Sequence, residues 1–207
     1  MNIQDAYTNW SVTYDSDRNL TRDLSQVVTR NSLANLHCKS ILEIGCGTGN
    51  NTIFLAQIAE KVRALDFSEG MIDRAKRKVQ AENVTFAMAD ITTRWPCEDA
   101  SADLVVCSLV LEHIENLSFI YSEAFRSLVA GGCFFVCELH PFRQYQGTKA
   151  SFRRDGGTTE IQAFIHHISD FLNVAEASGL TLQSLKEWWH EEDQDKLPRL
   201  VSFMFQN

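Results

Sequence analysis

The residues whose types and spacing could do chemistry begin with residues 40–51, SILEIGCGTGNN. Ile41, Leu42 and Ile44 read as a strand buried on both faces. Gly45, Gly47 and Gly49 follow at alternate positions, where a backbone without side chains can turn tightly beneath a ligand. Past Asn50 the pattern becomes helical, so main-chain N–H groups point into the loop. A dinucleotide fingerprint G-x-G-x-x-G starting at Gly45 requires glycine where Asn50 stands, so that ligand class is excluded. Asp66 ends the run KVRALD, 17 residues beyond Gly49. That is close to the spacing of about 20 residues at which a carboxylate at a strand end meets ribose hydroxyls. Asp90 follows a third apolar run at residues 84–88. His113, His140, His166, His167 and His190 could serve as general bases, because an unperturbed imidazole titrates near pH ~6.5. His113, His140 and His166 are the catalytic candidates, and a purely structural histidine is the alternative at each.

The string Glu43-Ile44-Gly45-Cys46-Gly47-Thr48-Gly49, with an acid two places before the first glycine, resembles motif I of the class I S-adenosylmethionine-dependent methyltransferases. Asp66-Phe67-Ser68-Glu69-Gly70-Met71 resembles that family's D-x-S-x-x-M. The resemblance implies S-adenosyl-L-methionine as cofactor, held by Glu43, Gly45, Cys46, Gly47 and Gly49, with Asp66 on the ribose and Phe67, Ser68 and Met71 beside the adenosine. It places Asp90 on the adenine amino group, Ile91 against the ring and Ser108 at the next strand end. It also implies an N-terminal segment folded over the cofactor, with Tyr14 of the Tyr14-Asp15 pair near the methionine moiety; simple packing on the core is the alternative. His113 belongs to Leu111-Glu112-His113-Ile114, a string similar to one common in the family.

The chemistry so implied is in-line attack on a sulfonium methyl, in which the protein orients the reactants, excludes water and supplies a base only if the nucleophile must lose a proton. After the fourth strand the chain has Cys107-Ser108-Leu109-Val110, not the Asp/Asn-Pro-Pro-aromatic motif of amino-methylating nucleic-acid enzymes. It lacks the acidic cluster of magnesium-dependent catechol-type enzymes and the paired-glutamate loop of protein arginine enzymes, so no metal is expected. The expected activity is methyl transfer to an oxygen or nitrogen nucleophile of a small molecule. The alternatives are an aminopropyl-transferring, polyamine-synthase-like enzyme and a catalytically silent cofactor-binding subunit.

The elements that must position these residues follow from hydrophobic periodicity. Strands are expected at residues 61–66, 84–88, 102–107 and 133–139 in addition to the one before Gly45, alternating with helices at 52–59, after Ser68, and at 117–129, the last stopped by Gly131-Gly132. A helix at 169–178 and strands at 181–189 and 200–205 complete the chain. The fold class is α/β: a Rossmann-like, doubly wound sheet of seven strands, mostly parallel, with an antiparallel strand from a C-terminal hairpin. The 207 residues, 44% of them hydrophobic, suit a single domain with an N-terminal helical cap at about 1–37 and an insertion at about 140–168. The insertion is expected to be a substrate lid, with a hairpin turning at Asp155-Gly156-Gly157. Its Arg143, Tyr145, Arg153, Arg154 and His167 are candidate substrate contacts, and the arginines suit an anionic substrate. A formal charge of −8 argues against a nucleic-acid partner. Six cysteines without a C-x-x-C pair read as reduced thiols, and no apolar run approaches the roughly 20 residues of a membrane span. The expected protein is cytoplasmic, without a membrane partner, and a monomer or homodimer.

Overall fold

Residues 104–107, LVVC, are apolar at every position because a core lies on each face of the sheet they belong to. Leu104 and Val106 join one core; Val105 and Cys107 join the other. Successive side chains of a strand point to opposite faces, so a strand covered on both must be apolar throughout. Phe134 and Val136 likewise oppose Phe135 and Cys137.

The computed structural model describes residues 2–154 and 157–207, without the side chains of Arg153 and Arg154. In chain order the elements are α1 (Ile3–Trp10), α2 (Leu20–Leu33), β1 (Cys38–Ile44), α3 (Thr52–Ile58), β2 (Ala59–Asp66), α4 (Glu69–Lys78), β3 (Val84–Met88) and β4 (Ala102–Ser108). A 3-10 turn (Leu111–His113) leads to α5 (Leu117–Ser127), β5 (Leu128–Leu139), α6 (Pro141–Tyr145), β6 (Ser151–Arg154), β7 (Gly157–Glu160), α7 (Ile168–Ala177), β8 (Thr181–Trp188) and β9 (Leu200–Gln206). The main sheet has the order β3-β2-β1-β4-β5-β9-β8. Its first five strands pair in parallel, and β9 runs antiparallel between β5 and β8. Connections therefore leave β1 in one direction and reach β4 in the other. The β1/β4 junction is the switch point of the sheet, where crevices form beyond the carboxyl ends of strands.

Two boundaries depart from expectation for identifiable reasons. Helix α5 stops at Ser127, and Gly131-Gly132 lies inside β5 instead of ending the helix. Gly131 has φ +77°, a Cβ at Gly132 would sit 2.9 Å from the Val129 carbonyl oxygen, and the β4/β5 register slips between Ala102 and Leu104. The glycine pair thus serves a bulge. Strand β2 starts at Ala59, directly off α3 with no intervening loop. Among the described residues no helix is long and apolar enough to cross a membrane.

Of the segment expected as an N-terminal cap, α2 packs on the face of the sheet, where Leu24, Val28 and Leu33 join the core of Ile41, Val106 and Phe135, and α1 alone meets the insertion. Trp10 of α1 stacks on Phe152 of β6 with centroids 5.5 Å apart, and Ala6 and Ile161 join them in a small buried cluster. Helix α1 is seated on the start of α4: Thr8 Oγ1 lies 3.0 Å from Ser68 Oγ, and Gln4 Nε2 donates to the Phe67 carbonyl at 2.6 Å. Close seating requires glycine at 70, where a Cβ would come within 2.7 Å of Ser11 Oγ and 3.0 Å of the Thr8 carbonyl oxygen. Gly70→Ala is therefore expected to lift α1 and lower stability by about 1–3 kcal/mol, the range for overpacking. Faster proteolytic cleavage ahead of residue 20 would accompany it, and an unchanged cleavage rate would show that α1 does not depend on this contact.

Candidate functional site

At the switch point lies a cavity of about 250 Å3. Of the residues expected to hold a cofactor, Tyr14, Gly45, Gly47, Asp66, Phe67, Met71, Asp90, Ile91 and Ser108 line it, together with His113. The chain ends of β1, β2, β3 and β4 bring them together.

Gly47 sits at φ +54°, and a Cβ built there meets nothing within 4 Å, so the loop leaves open space on its cavity side. Gly45 (φ +70°) is closely covered instead: a Cβ would lie 2.2 Å from Val110 Cγ2. Gly49 does not line the cavity. Its φ of +83° and the 2.8 Å approach of a would-be Cβ to Val79 Cγ2 make it a packing glycine against the end of α4. Asp66 is 7% exposed and takes Gly47 N–H on Oδ2 at 2.8 Å and Ser68 N–H on Oδ1 at 2.9 Å. Burial pushes its carboxyl up to about 6 against these backbone donors. Asp90 Oδ1 accepts from the backbone and hydroxyl of Thr92 at 2.9 and 2.7 Å.

Three further residues expected at the cofactor support it from behind. Glu43 accepts from Thr52 Oγ1 at 2.5 Å, pinning the start of α3 to β1, and is buried away from the cavity. Burial pushes its carboxyl up to about 8, despite the Thr52 donor. Cys46 packs with Ala64 and Ile72. Ser68 is fully buried and caps α4 by accepting from Met71 N–H at 3.3 Å. Beside Tyr14, Asp15 turns onto the glycine loop, accepting from Thr48 Oγ1 at 2.7 Å and pairing with Lys78 at 2.5 Å.

The turn after β4 sends consecutive side chains into two different cavities. His113 lines the first; Glu112 lines a polar chamber of about 270 Å3 that shares Tyr7, Tyr14 and Leu109 with it as a common wall. Leu109 holds φ +57°, a strained conformation costing about 1–3 kcal/mol for a non-glycine residue. The buried Glu138 secures the turn, its Oε1 accepting from Val110 and Leu111 N–H, each at 3.0 Å. His113 Nδ1 lies 2.8 Å from the Gln162 carbonyl, which can only accept, so Nδ1 carries the proton. Burial holds the imidazole below its ordinary value, so Nε2 is an acceptor and takes the Tyr7 hydroxyl at 2.7 Å. Glu112 Oε2 is buried and has no hydrogen-bond partner among the described residues. Burial first, then the nearby Glu138, pushes its carboxyl up to about 8. Sequence reasoning singled out neither Tyr7, Glu112 nor Glu138.

The other candidates do not reach either cavity as expected. His140 is buried, with Nε2 2.9 Å from Glu187 Oε1 and Nδ1 accepting from Phe142 N–H at 3.1 Å, where it caps α6. His166 Nε2 lies 2.7 Å from the Ile114 carbonyl. Arg143 is committed to structure: it donates to the carbonyls of Leu197 at 2.7 Å and Pro198 at 3.3 Å and pairs with buried Asp193 at 3.1 Å. Tyr145 and His167 bond each other at 2.5 Å on the surface, away from both cavities. The side chains of Arg153 and Arg154 and the turn at Asp155-Gly156 lie outside the described residues. Among the described residues no group of three or more His, Cys, Asp or Glu is arranged to hold a metal ion.

Comparison with known proteins gives three kinds of likeness. Residues 42–136 match the family described as Methyltransferase domain. Among curated relatives, the biotin biosynthesis bifunctional protein BioHC of Teredinibacter turnerae is 28% identical over 159 residues, covering 72% of this chain and 27% of the relative. The demethylmenaquinone methyltransferase of Clavibacter sepedonicus is 34% identical over 116 residues, covering 56% and 47%. The chain thus spans between about a quarter and a half of the length of these relatives. An S-adenosylmethionine-dependent methyltransferase structure from Mesorhizobium loti superposes with a TM-score of 0.75 at 20% identity, covering 91% of this chain and all of the other. That last likeness is one of fold.

Proposed function

Residues 42–136 carry a methyltransferase domain on the fold of the class I S-adenosylmethionine-dependent methyltransferases, and from that premise we propose that the chain transfers a methyl group to an oxygen or nitrogen nucleophile of a small molecule. The observation that supports it most is the cavity at the switch point, where Gly47 leaves ligand space and Asp66, Asp90 and Ile91 converge from two strand ends. These residues suit S-adenosylmethionine chemically. Each Asp66 oxygen has one lone pair taken by a backbone amide and another left for a ribose hydroxyl. Asp90 offers an acceptor and Ile91 an apolar face for adenine. The curated relatives act on different molecules by name, so the substrate has to be argued from this chain's own residues.

When bound, the cofactor supplies an electrophilic methyl group on a positively charged sulfur. The protein's part is to hold the nucleophile in line and keep water out. Helix α1 does the second, with Ile3 and Tyr7 on the cavity wall and the β6–β7 hairpin packed against the helix. At the shared wall, the Tyr7 hydroxyl donates a hydrogen bond to His113 Nε2, so its oxygen can accept from a substrate hydroxyl. A proton leaving the nucleophile can then pass through Tyr7 to a neutral His113 whose other nitrogen is fixed by Gln162.

Calorimetry with S-adenosylmethionine and S-adenosylhomocysteine tests this reading. Wild type is expected to bind both, and Asp66→Ala is expected to weaken binding by roughly 1.5–3 kcal/mol, the range for hydrogen bonds to a charged group. A loss of only a few tenths would put the ribose elsewhere.

A further inference from the structure

The polar chamber beside the cofactor cavity is lined by charged side chains from four parts of the chain. Among the described residues its cations are already paired. Arg199 clasps Asp193 through Nε at 2.5 Å and Nη2 at 2.8 Å and donates Nη1 to Thr21 at 3.0 Å. Arg18 pairs with Glu192 at 2.5 Å and Lys149 with Glu160 at 2.5 Å. Glu112 stands apart. Its Oε2 is buried without a hydrogen bond, and its Oε1 lies 3.8 Å from His113 Nε2, a nitrogen already occupied by the Tyr7 hydroxyl. Burying a carboxylate oxygen that nothing donates to costs stability, and a bound donor removes that cost.

Resting on the methyl-transfer reading of the adjoining cavity, we propose that this chamber is the substrate site and that it takes a small primary or secondary amine, whose ammonium group donates to Glu112. The position fits, because the chamber meets the cofactor cavity along Tyr7, Tyr14 and Leu109. The sign fits as well. An anionic substrate would find its negative charge beside a buried carboxyl group with every described cation engaged elsewhere. An ammonium group supplies the counter-charge that keeps Glu112 ionised, where burial and Glu138 alone push its carboxyl up to about 8.

The transfer balances with these groups. The ammonium gives one proton to the Glu112 carboxylate, which becomes the acid. The freed nitrogen lone pair forms the new bond to the methyl carbon as the carbon–sulfur bond breaks and its electron pair stays on sulfur. The product leaves as a methylated ammonium, and Glu112 returns its proton to water.

The test is thermal unfolding of the whole chain, saturated with S-adenosylhomocysteine, against matched amines and acids at millimolar concentration: phenethylamine with phenylacetate, histamine with imidazoleacetate, ethanolamine with glycolate, and putrescine with succinate. At least one amine is expected to stabilise wild type beyond its matched acid. Glu112→Gln keeps the shape of the side chain and is expected to weaken that amine by about 10- to 100-fold. Its affinity for S-adenosylhomocysteine by calorimetry should stay within a few-fold, which also reports that it folds. Acids that stabilise as much as amines, no difference within any pair, or a difference that survives in Glu112→Gln would each overturn the proposal. If S-adenosylhomocysteine does not bind wild type, the methyl-transfer reading fails by itself, and the amine–acid comparison is then read on the unliganded protein.

Discussion

Gly47→Val is expected to abolish binding of S-adenosylmethionine and S-adenosylhomocysteine while leaving the chain folded. The two halves of that expectation have separate causes. A Cβ at residue 47 meets no atom within 4 Å beyond its chain neighbours, and residue 47 lines the cavity, so the isopropyl group takes open space beside the ligand and displaces no packed side chain. The fold bears only the left-handed backbone at φ +54°, a cost of roughly 1–2 kcal/mol for an L residue. Domain stabilities of about 5–15 kcal/mol absorb that. The backbone N–H of residue 47 survives the change and can still serve Asp66. Gly45 would make a poorer test, because a Cβ there collides with Val110 at 2.2 Å and any loss of binding could follow from a displaced turn. Calorimetry beside circular dichroism measures the outcome, with a loss above about 100-fold expected from filling ligand space. Affinity within a few-fold of wild type, in a folded variant, would mean that the ligand does not lie against this loop.

The seven-stranded sheet was legible in the sequence because burial on both faces writes itself as continuous apolar runs, and because Asp66, Asp90 and Ser108 end three of them. Several candidate side chains are engaged elsewhere for a common physical reason: spacing along the chain does not reveal which partner a side chain finds in space. Glu43 occupies the acidic place of the glycine motif, yet Thr52 claims it from the start of α3. Arg143 follows β5 closely, but Asp193 and the carbonyls of residues 197 and 198 hold it. Glu112 and His113 stand side by side in the string, and one 3-10 turn sends them to different cavities. Tyr7 meets His113 across 106 positions of sequence, a contact that exists only once α1 is seated on α4. Gly131-Gly132 looked like a helix stop because a bulge uses the same residues. A buried acid in a hydrophobic strand, such as Glu138, was the one overlooked signal that the string itself carried, since such a position is costly unless something is bound to it.

That cost yields the last prediction: the unliganded protein should lose stability as pH rises from about 5 to about 8, the reverse of the usual carboxylate behaviour. Glu43 and Glu112 are pushed up to about 8 and Glu138 to about 7, in each case chiefly by burial. Their ordinary value is near 4.5. Between that value and the folded one, the native chain holds protons that the unfolded chain has released, so the slope of unfolding free energy with pH is negative. The stabilisation is complete below about 4.5 and is lost as each folded value is passed. Asp193 acts in the opposite direction: the Arg199 guanidinium holds it down to about 2, so its contribution is present above its ordinary 3.8 and disappears only on further acidification. Stability should therefore peak on the acid side of neutrality. Glu138 and Glu112 also repel each other when both are ionised, so their two losses are coupled and not additive. Glu43 is the cleaner probe. Glu43→Gln keeps an acceptor for Thr52 and removes one titration, which should flatten the slope by up to roughly 1.4 kcal/mol per pH unit. Urea unfolding at several pH values measures it. A wild-type stability that rises steadily toward about pH 8 would mean that these acids ionise in the native state near their ordinary values, and that the chain solvates them despite their burial.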